Sequence, residues 1–285
     1  AFSMDGKMLL QEKNQLVMSP NGHGGSLKAL VESGSIALME EEEIDCISYF
    51  QVDNPMVYCM DPTFIGLHKA GGSEMSSKAV KKLSPKERVG TFVQIGETLQ
   101  VMEYSDIPPQ ISSEKLKNGS LRFGLGSIAI HLLERNFVNR VAGSKKIKRQ
   151  GLKYHGAHKK VCCLDNKGSR VDPQKPNAIK AETFVFDALP LAHNPLLMEI
   201  NRKEEFGPIK NPTGSDSRAS SEKLQISRNQ RWLKVLGGVG KLNKVEISPL
   251  FAPTLPFFLE QTSKFPIDPK KLSKDSALIE LQNTK

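Results

Sequence analysis

Apolar and polar positions change period along this chain, and each change marks an element. Residues 44–50 (Ile-Asp-Cys-Ile-Ser-Tyr-Phe) are rich in β-branched and aromatic types and predict a buried strand. Residues 89–95 and 98–104 predict two more strands joined by a turn at Gly96-Glu97, and residues 6–17 predict a hairpin. Leu27, Leu30 and Val31 share one face of a helix over about 26–33, and a second helix follows within 34–43. Residues 62–70 predict a helix with Pro62 in its first turn. Ile128, His131, Leu132 and Arg135 have helical spacing, which predicts a helix over 128–138. Residues 154–179 read as strands and turns, with short strands at 161–164 and 198–202. Phe184-Val185-Phe186-Asp187 is expected to be extended, with both aromatics on one side. Residues 213–221 read as a Ser/Gly-rich linker, followed by a helix over 224–236 and a strand at 245–248. Strands alternating with helices, and glycine loops at strand ends, predict a mixed α/β sheet.

The strand at 44–50 ends on Gln51-Val52-Asp53-Asn54-Pro55. Proline cannot continue a central strand, and ligands of open α/β sheets bind beyond the carboxyl ends of strands. A carboxylate there suits a hard divalent cation bridging phosphate oxygens. The alternative is an Asx-type turn that merely ends the strand.

Bulk properties narrow the class. The 285 residues are enough for one large or two smaller domains, and 38% hydrophobic with 25% charged residues suits a globular protein. No apolar stretch approaches the roughly 20 residues of a membrane span, and residues 1–13 hold no signal-peptide core, so no membrane association is expected. Cys46, Cys59, Cys162 and Cys163 lack metal-ligand spacing and read as reduced thiols of a cytoplasmic protein. Ala1 runs directly into Met-Asp-Gly-Lys, a turn sequence, which reads as a cut through a domain.

Forty basic against 31 acidic residues leave a net charge of +9, concentrated at 78–82, 145–149 and 159–160. That balance attracts RNA or a phosphorylated small molecule. The basic runs lack interleaved stacking aromatics, and only 6% of the chain is aromatic, so a basic RNA-binding protein ranks last and no nucleic-acid partner is expected. The runs read as solvated faces.

Further candidates are weak one at a time. Ser19-Pro20-Asn21-Gly22-His23-Gly24-Gly25 precedes a helix, where glycines let a ligand approach the backbone and free N–H groups suit anions. His23, flanked by glycines, is expected to be unusually accessible; many such loops only turn the chain. Glu103 in Met-Glu-Tyr-Ser ends a strand and suits sugar hydroxyls, or is a surface strand end. Lys210 lies in Gly207-Pro208-Ile209-Lys210-Asn211-Pro212 and suits a phosphate, or is one exposed lysine among many.

Taken in order, the segments resemble a known family. Pro-Asn-Gly-His-Gly-Gly (20–25), Val-Asp-Asn (52–54), Val-Gly (89–90), Glu-Tyr-Ser (103–105), Phe-Val-Phe-Asp (184–187), Glu-Phe-x-Pro-Ile-Lys-Asn (205–211) and Glu-Ile-Ser-Pro-Leu (246–250) are similar to the UDP-N-acetylhexosamine pyrophosphorylases. These belong to the wider UTP:sugar-1-phosphate uridylyltransferases, which include the UDP-glucose enzymes. The resemblance covers almost the whole chain. It implies a nucleotide-diphospho-sugar transferase fold: a Rossmann-like α/β domain, here residues 1–213, and a linker with a small C-terminal domain over 214–285. It implies formation of UDP-sugar and pyrophosphate from UTP and sugar 1-phosphate with Mg²⁺, the sugar phosphate attacking the α-phosphorus in line. By the same resemblance Gly22 contacts uracil and His23 the nucleotide-sugar. Asp53 holds metal and ribose or phosphate, beside Asn54. Gly90, Glu103, Tyr104 and Ser127 line the sugar pocket, Phe184 and Phe186 wall it, and Lys210 holds the phosphates. Asp53 and Lys210 are the expected catalytic residues.

Three departures stand out. The family's Gly-Gly-x-Gly-Thr-Arg-Leu-Gly loop is absent and is expected upstream of Ala1, so that this chain by itself is expected to be inactive. His23 stands where the N-acetylhexosamine branch has Asn, and Gly-His-Gly is the UDP-glucose pattern. Ser127 also replaces an Asn of that branch. The sugar is therefore expected to be N-acetylglucosamine or glucose, with relaxed selectivity. A rival of another class is a non-catalytic nucleotide-sugar-binding module that keeps these contacts without the loop.

Overall fold

The computed structural model describes all residues except 143–151, 238–242, 270–271, 273–275 and 281–285. At its centre a six-stranded sheet runs in the order Leu196–Glu199, Met75–Lys81, Leu125–Glu134, Thr91–Ile95, Thr98–Met102, and Cys46–Tyr49 pairs with Leu125–Glu134 off this path. Leu196–Glu199 lies parallel to Met75–Lys81, and the remaining pairs are antiparallel, so the sheet is mixed as expected.

Both faces of the sheet are covered. On one side Met75, Ala79, Phe92 and Leu133 pack with Leu27, Phe137, Val138 and Leu189; on the other Val80, Ile128, Ile130 and Leu132 pack with Phe64 and Phe206. Burial on two faces explains the one major misreading of the pattern. Residues 128–134 form the end of a central strand, and the helix begins only at Arg135 and runs to Ala142. A strand buried on both faces reads as a near-continuous apolar run, which has no period of two to betray it. This strand is also bulged. Ser77 faces His131 while Ala79 faces Ser127, so three residues, 128–130, stand opposite one, and Ala129 takes a positive φ of 55°.

Other differences have equally local causes. Phe184 is extended, but residues 185–191 form a 3₁₀ helix, because Val185, Ala188 and Leu189 bury at helical spacing. Part of the expected linker is helix: Arg218–Val235 starts from Ser217, whose hydroxyl and that of Ser220 cap it reciprocally. The strand expected at 198–202 lies at Leu196–Glu199, since Asn201 caps the short helix Arg202–Glu205. Lys78, read as part of a solvated face, is fully buried between Asp61 at 2.7 Å and Glu205 at 2.5 Å, while Lys81 and Lys159 are exposed. The basic run 145–149 lies outside the described residues. The helices near 26–33 and 62–70 and the turn at Gly96 form as expected. A further apolar cluster joins Trp232 and Leu233 to Val245, Ile247, Phe258 and Ile279, around the parallel strand pair Lys244–Ile247 and Ser276–Ile279.

Candidate active site

A cleft of about 260 Å³ opens at the edge of the central sheet, and strand ends and loops supply its walls. From one side come Gln51, Asp53 and Asn54, just past the strand Cys46–Tyr49. Across from them stand Arg88, Val89 and Gly90, and Glu103 with Tyr104 at the end of Thr98–Met102. The bulge contributes Ser127, Ile128 and Ala129, and His23, Phe186, Phe206, Pro208 and Lys210 complete the lining.

Nine of the candidates therefore meet here: His23, Asp53, Asn54, Gly90, Glu103, Tyr104, Ser127, Phe186 and Lys210. Gly22 and Phe184 lie outside the lining, each for a visible reason. The loop 20–25 is stitched along the end of the strand Ala178–Thr183: Thr183 donates its N–H to Asn21 O at 2.9 Å, and Gly24 donates to Thr183 O at 2.8 Å. Gly22, at φ +68°, lies so close that a Cβ would fall 2.4 Å from Thr183 O. Its lack of a side chain serves this approach. Phe184 sits a layer back, its ring 5.0 Å from that of His23 and 4.8 Å from that of His155.

His23 is half-buried and pinned rather than freely accessible. Its Nδ1 accepts the N–H of Val185 at 3.1 Å, which leaves Nε2–H as the remaining donor. Burial lowers its pKa to about 4, so the ring is neutral near pH 7. Behind it His131 is wholly buried, held by Ser77 at 2.8 Å and stacked 5.8 Å from Tyr49, with its pKa lowered by burial to about 3.

The carboxylate of Asp53 and the ammonium of Lys210 have no hydrogen-bond or ion-pair partner among the described residues. Their loops are nevertheless fastened together: Ile209 donates its N–H to Asp53 O at 2.8 Å. Asn54 reinforces the joint. Its amide donates to Glu205 O at 2.8 Å and accepts from Gly207 N–H at 3.0 Å, so its polar atoms are used inside the protein. Glu103 is raised above the ordinary carboxyl range by burial and by Asp106 beside it, with His155 and Lys210 pulling the other way. Ser127 is set by its N–H, which donates to Gly90 O at 2.7 Å. Gly90 has no room for a side chain, since a Cβ would lie 2.7 Å from Val101 Cγ1.

Arg88, Gln51, Phe206 and Pro208 were not among the expected site residues. Arg88 directly precedes Val89-Gly90, and Phe206 and Pro208 lie within 205–211, so position beside a motif was the signal available.

Comparison with known proteins follows the same line. The family model described as UTP–glucose-1-phosphate uridylyltransferase matches residues 1–284. The chain belongs to this family. It is 36% identical over 239 residues to UDP-N-acetylhexosamine pyrophosphorylase-like protein 1 of Xenopus tropicalis, covering 83% of this chain and 46% of that protein. The human protein of the same name is 36% identical over 234 residues, covering 81% and 46%. The family member thus spans about half the length of the curated relatives it matches. In fold it is similar to the crystal structure of the UDP-N-acetylglucosamine pyrophosphorylase of Trypanosoma brucei, with a TM-score of 0.78 and 23% identity over 99% of this chain and 60% of that one.

Proposed function

We propose that the protein is a UTP:sugar-1-phosphate uridylyltransferase, joining UTP and a sugar 1-phosphate to give UDP-sugar and pyrophosphate, and that this cleft holds the sugar-nucleotide. The observation that carries the reading is the unengaged Asp53 and Lys210, presented to one cleft by two loops that share a main-chain hydrogen bond. Opposite charges presented to one cleft suit a metal-bound phosphate: the carboxylate attracts the cation, and the ammonium attracts the remaining phosphate charge.

Asp53 fits Mg²⁺, which takes one or two carboxylates together with substrate phosphates and water. When bound, the ion neutralises phosphate charge as the α-phosphorus is attacked. The chain's own residues do the placing. Lys210 holds phosphate oxygens as a point charge. His23, locked in one tautomer, offers Nε2–H to a carbonyl or hydroxyl of the nucleotide-sugar. Glu103 accepts from sugar hydroxyls, the Ser127 hydroxyl and the Gly90 main chain bound the sugar, and Phe186 supplies an apolar wall. Holding the sugar phosphate and UTP in line removes most of the entropic barrier to transfer.

The separate apolar cluster of Trp232, Val245 and Phe258 supports a small C-terminal domain over 214–285 beside a catalytic domain over 1–213. Four free cysteines support a cytoplasmic location, and among the described residues no helix is long and apolar enough to cross a membrane. The names of the Xenopus and human relatives support an N-acetylhexosamine such as N-acetylglucosamine as the sugar, and His23 keeps glucose beside it.

The deciding experiment is pyrophosphorolysis by the full-length protein: it is given pyrophosphate with UDP-N-acetylglucosamine or UDP-glucose, and UTP formation is followed. Release of UTP from either supports the reading; binding of UDP-sugar without UTP release supports a binding module, and neither binding nor release removes the cleft from nucleotide-sugar chemistry.

A further inference from the structure

At the opposite end of the strand Cys46–Tyr49 from the cleft, three side chains from three elements converge. Cys46 opens this strand and faces Glu134, its direct partner at the end of Leu125–Glu134. His68 comes from the last turn of the helix Pro62–Ala70 and is fully buried. The Sγ of Cys46, a ring nitrogen of His68 and a carboxylate oxygen of Glu134 all lie within 4.8 Å of one another.

The hydrogen bonds here are arranged as around a metal-bound imidazole. Ser76 Oγ donates to Ser73 Oγ at 3.0 Å and lies 2.7 Å from His68 Nδ1, so it accepts the proton of Nδ1. Nε2 is then left with its lone pair, 2.9 Å from Glu134 Oε1. Two acceptors in contact need a proton or a cation between or beside them, and Lys69, 2.7 Å from the same carboxylate oxygen, stands where a bound ion would replace it. An outer hydroxyl that fixes the tautomer, with the other nitrogen presented to a carboxylate and a thiol, is the support found around metal-ligating histidines. The donor set of one sulfur, one nitrogen and one oxygen selects a borderline-soft ion and not Mg²⁺.

We propose that Cys46, His68 and Glu134 form a binding site for a divalent ion of the zinc type, unrelated to the role given to Asp53. Ligand atoms of a tetrahedral zinc lie about 3.3–3.8 Å apart for bonds of roughly 2.0–2.3 Å, so His68 Nε2 and Glu134 Oε1, 2.9 Å apart, open slightly on binding while the sulfur, within 4.8 Å of both, closes in modestly. The surface cleft lined by His68, Lys69, Gly72, Ser73, Glu74 and Glu134 gives solvent access to the site, so that water completes the tetrahedron. Lys69, 2.7 Å from Glu134 Oε1, is the competitor; Asp45, at 2.8 Å, already holds the same ammonium and takes it over. Cys46 gives up its thiol proton to solvent as the ion binds. The site then ties strand, strand end and helix together, and so anchors the strand that leads to Gln51 and Asp53.

The test uses the purified chain, stripped with chelator and titrated with Co²⁺. The expected result is one Co²⁺ per chain, with tetrahedral visible bands and a thiolate-to-cobalt band in the near ultraviolet. Zn²⁺ abolishes both and excess Mg²⁺ does not. Cys46→Ser removes the thiolate band and weakens binding at least tenfold, whereas Cys162→Ser leaves both unchanged. Glu134→Gln, on a partly exposed side chain, weakens binding without the burden of altering buried His68. Absence of the thiolate band in the parent chain, its persistence in Cys46→Ser, or its loss in Cys162→Ser overturns the proposal and leaves His68 and Glu134 as a plain ion pair.

Discussion

The ammonium of Lys78 lies 2.5 Å from a carboxylate oxygen of Glu205, in the interior and far from it in sequence. Asp61 takes the same ammonium at 2.7 Å while accepting the N–H groups of Thr63 and Phe64 at the start of a helix. One buried cation thereby fastens a central strand, a helix N-terminus and the segment that leads from Glu205 to Lys210. Burial pushes the Glu205 carboxyl up and Lys78 pulls it back down, so the pair depends on both partners.

Removing Lys78 alone strands two buried carboxylates. Lys78→Met is expected to destabilise the protein by about 3–5 kcal/mol, the scale of breaking a buried pair from one side. Urea unfolding measures it. A loss below about 1 kcal/mol would show that the carboxylates find other partners.

In the full-length protein, Asp53→Asn keeps shape and loses charge. Since Asp53 has no protein partner among the described residues, the melting temperature is expected to stay within a degree or two while turnover is lost. Near-normal turnover at saturating Mg²⁺ would take Asp53 out of the metal site.

In the full-length protein, Lys210→Ala is expected to remove on the order of 2–4 kcal/mol of transition-state stabilisation, as for one preorganised electrostatic donor. Lys210→Arg restores part of it, because a planar fork replaces a compact ammonium imperfectly. Comparing kcat/KM of the three forms checks this; parent-like kinetics for the Ala form would make Lys210 a surface lysine.

Stability is expected to carry a histidine signature. His23 and His131 are held neutral, with pKa about 4 and about 3, against about 6.5 in the unfolded chain. As pH falls below about 6.5, the unfolded chain binds protons that the native one refuses until about pH 4. Their contribution is therefore complete above pH 6.5 and is lost on acidification, while the raised carboxyls Glu103, Asp187 and Glu205 act in the opposite sense. His23→Gln isolates one proton: its stability should fall less steeply than the parent's between pH 6.5 and 4. Parallel curves would mean that His23 titrates alike in both states.

The sugar is expected to be chosen loosely. A Ser127 hydroxyl next to Gly90 makes a roomy wall, and roominess discriminates only about 10–200-fold. N-acetylglucosamine 1-phosphate and glucose 1-phosphate should both be used, and a ratio of kcat/KM beyond roughly 10⁴ would reveal a specific hydrogen bond to the 2-substituent.

What the sequence made legible was mostly what is local. Asp61-Pro62 starts its helix by side-chain capping and Gly96 turns its hairpin, so both were readable from a few residues. Motif order drew nine cleft residues together although no spacing explains why residues 23 and 210 should meet. Three features escaped because their cause is tertiary. The strand through Ile128 and Ile130 hides its period by burying both faces. Lys78 reads as one lysine in a basic run until Asp61 and Glu205 are placed around it. Gly22 reads as a ligand contact, and only the strand ending at Thr183 shows what occupies the space beside it.

The main-chain bond from Ile209 to Asp53 has a mechanical consequence. Because it joins the two loops at the backbone, the main-chain positions from which the two charged side chains extend are held to one another. A motion of this rim that carries one loop therefore carries the other, like the two handles of one latch. The side chains keep their own rotamers, so the adjustment left to a bound phosphate is the reach of Lys210 along its flexible stem.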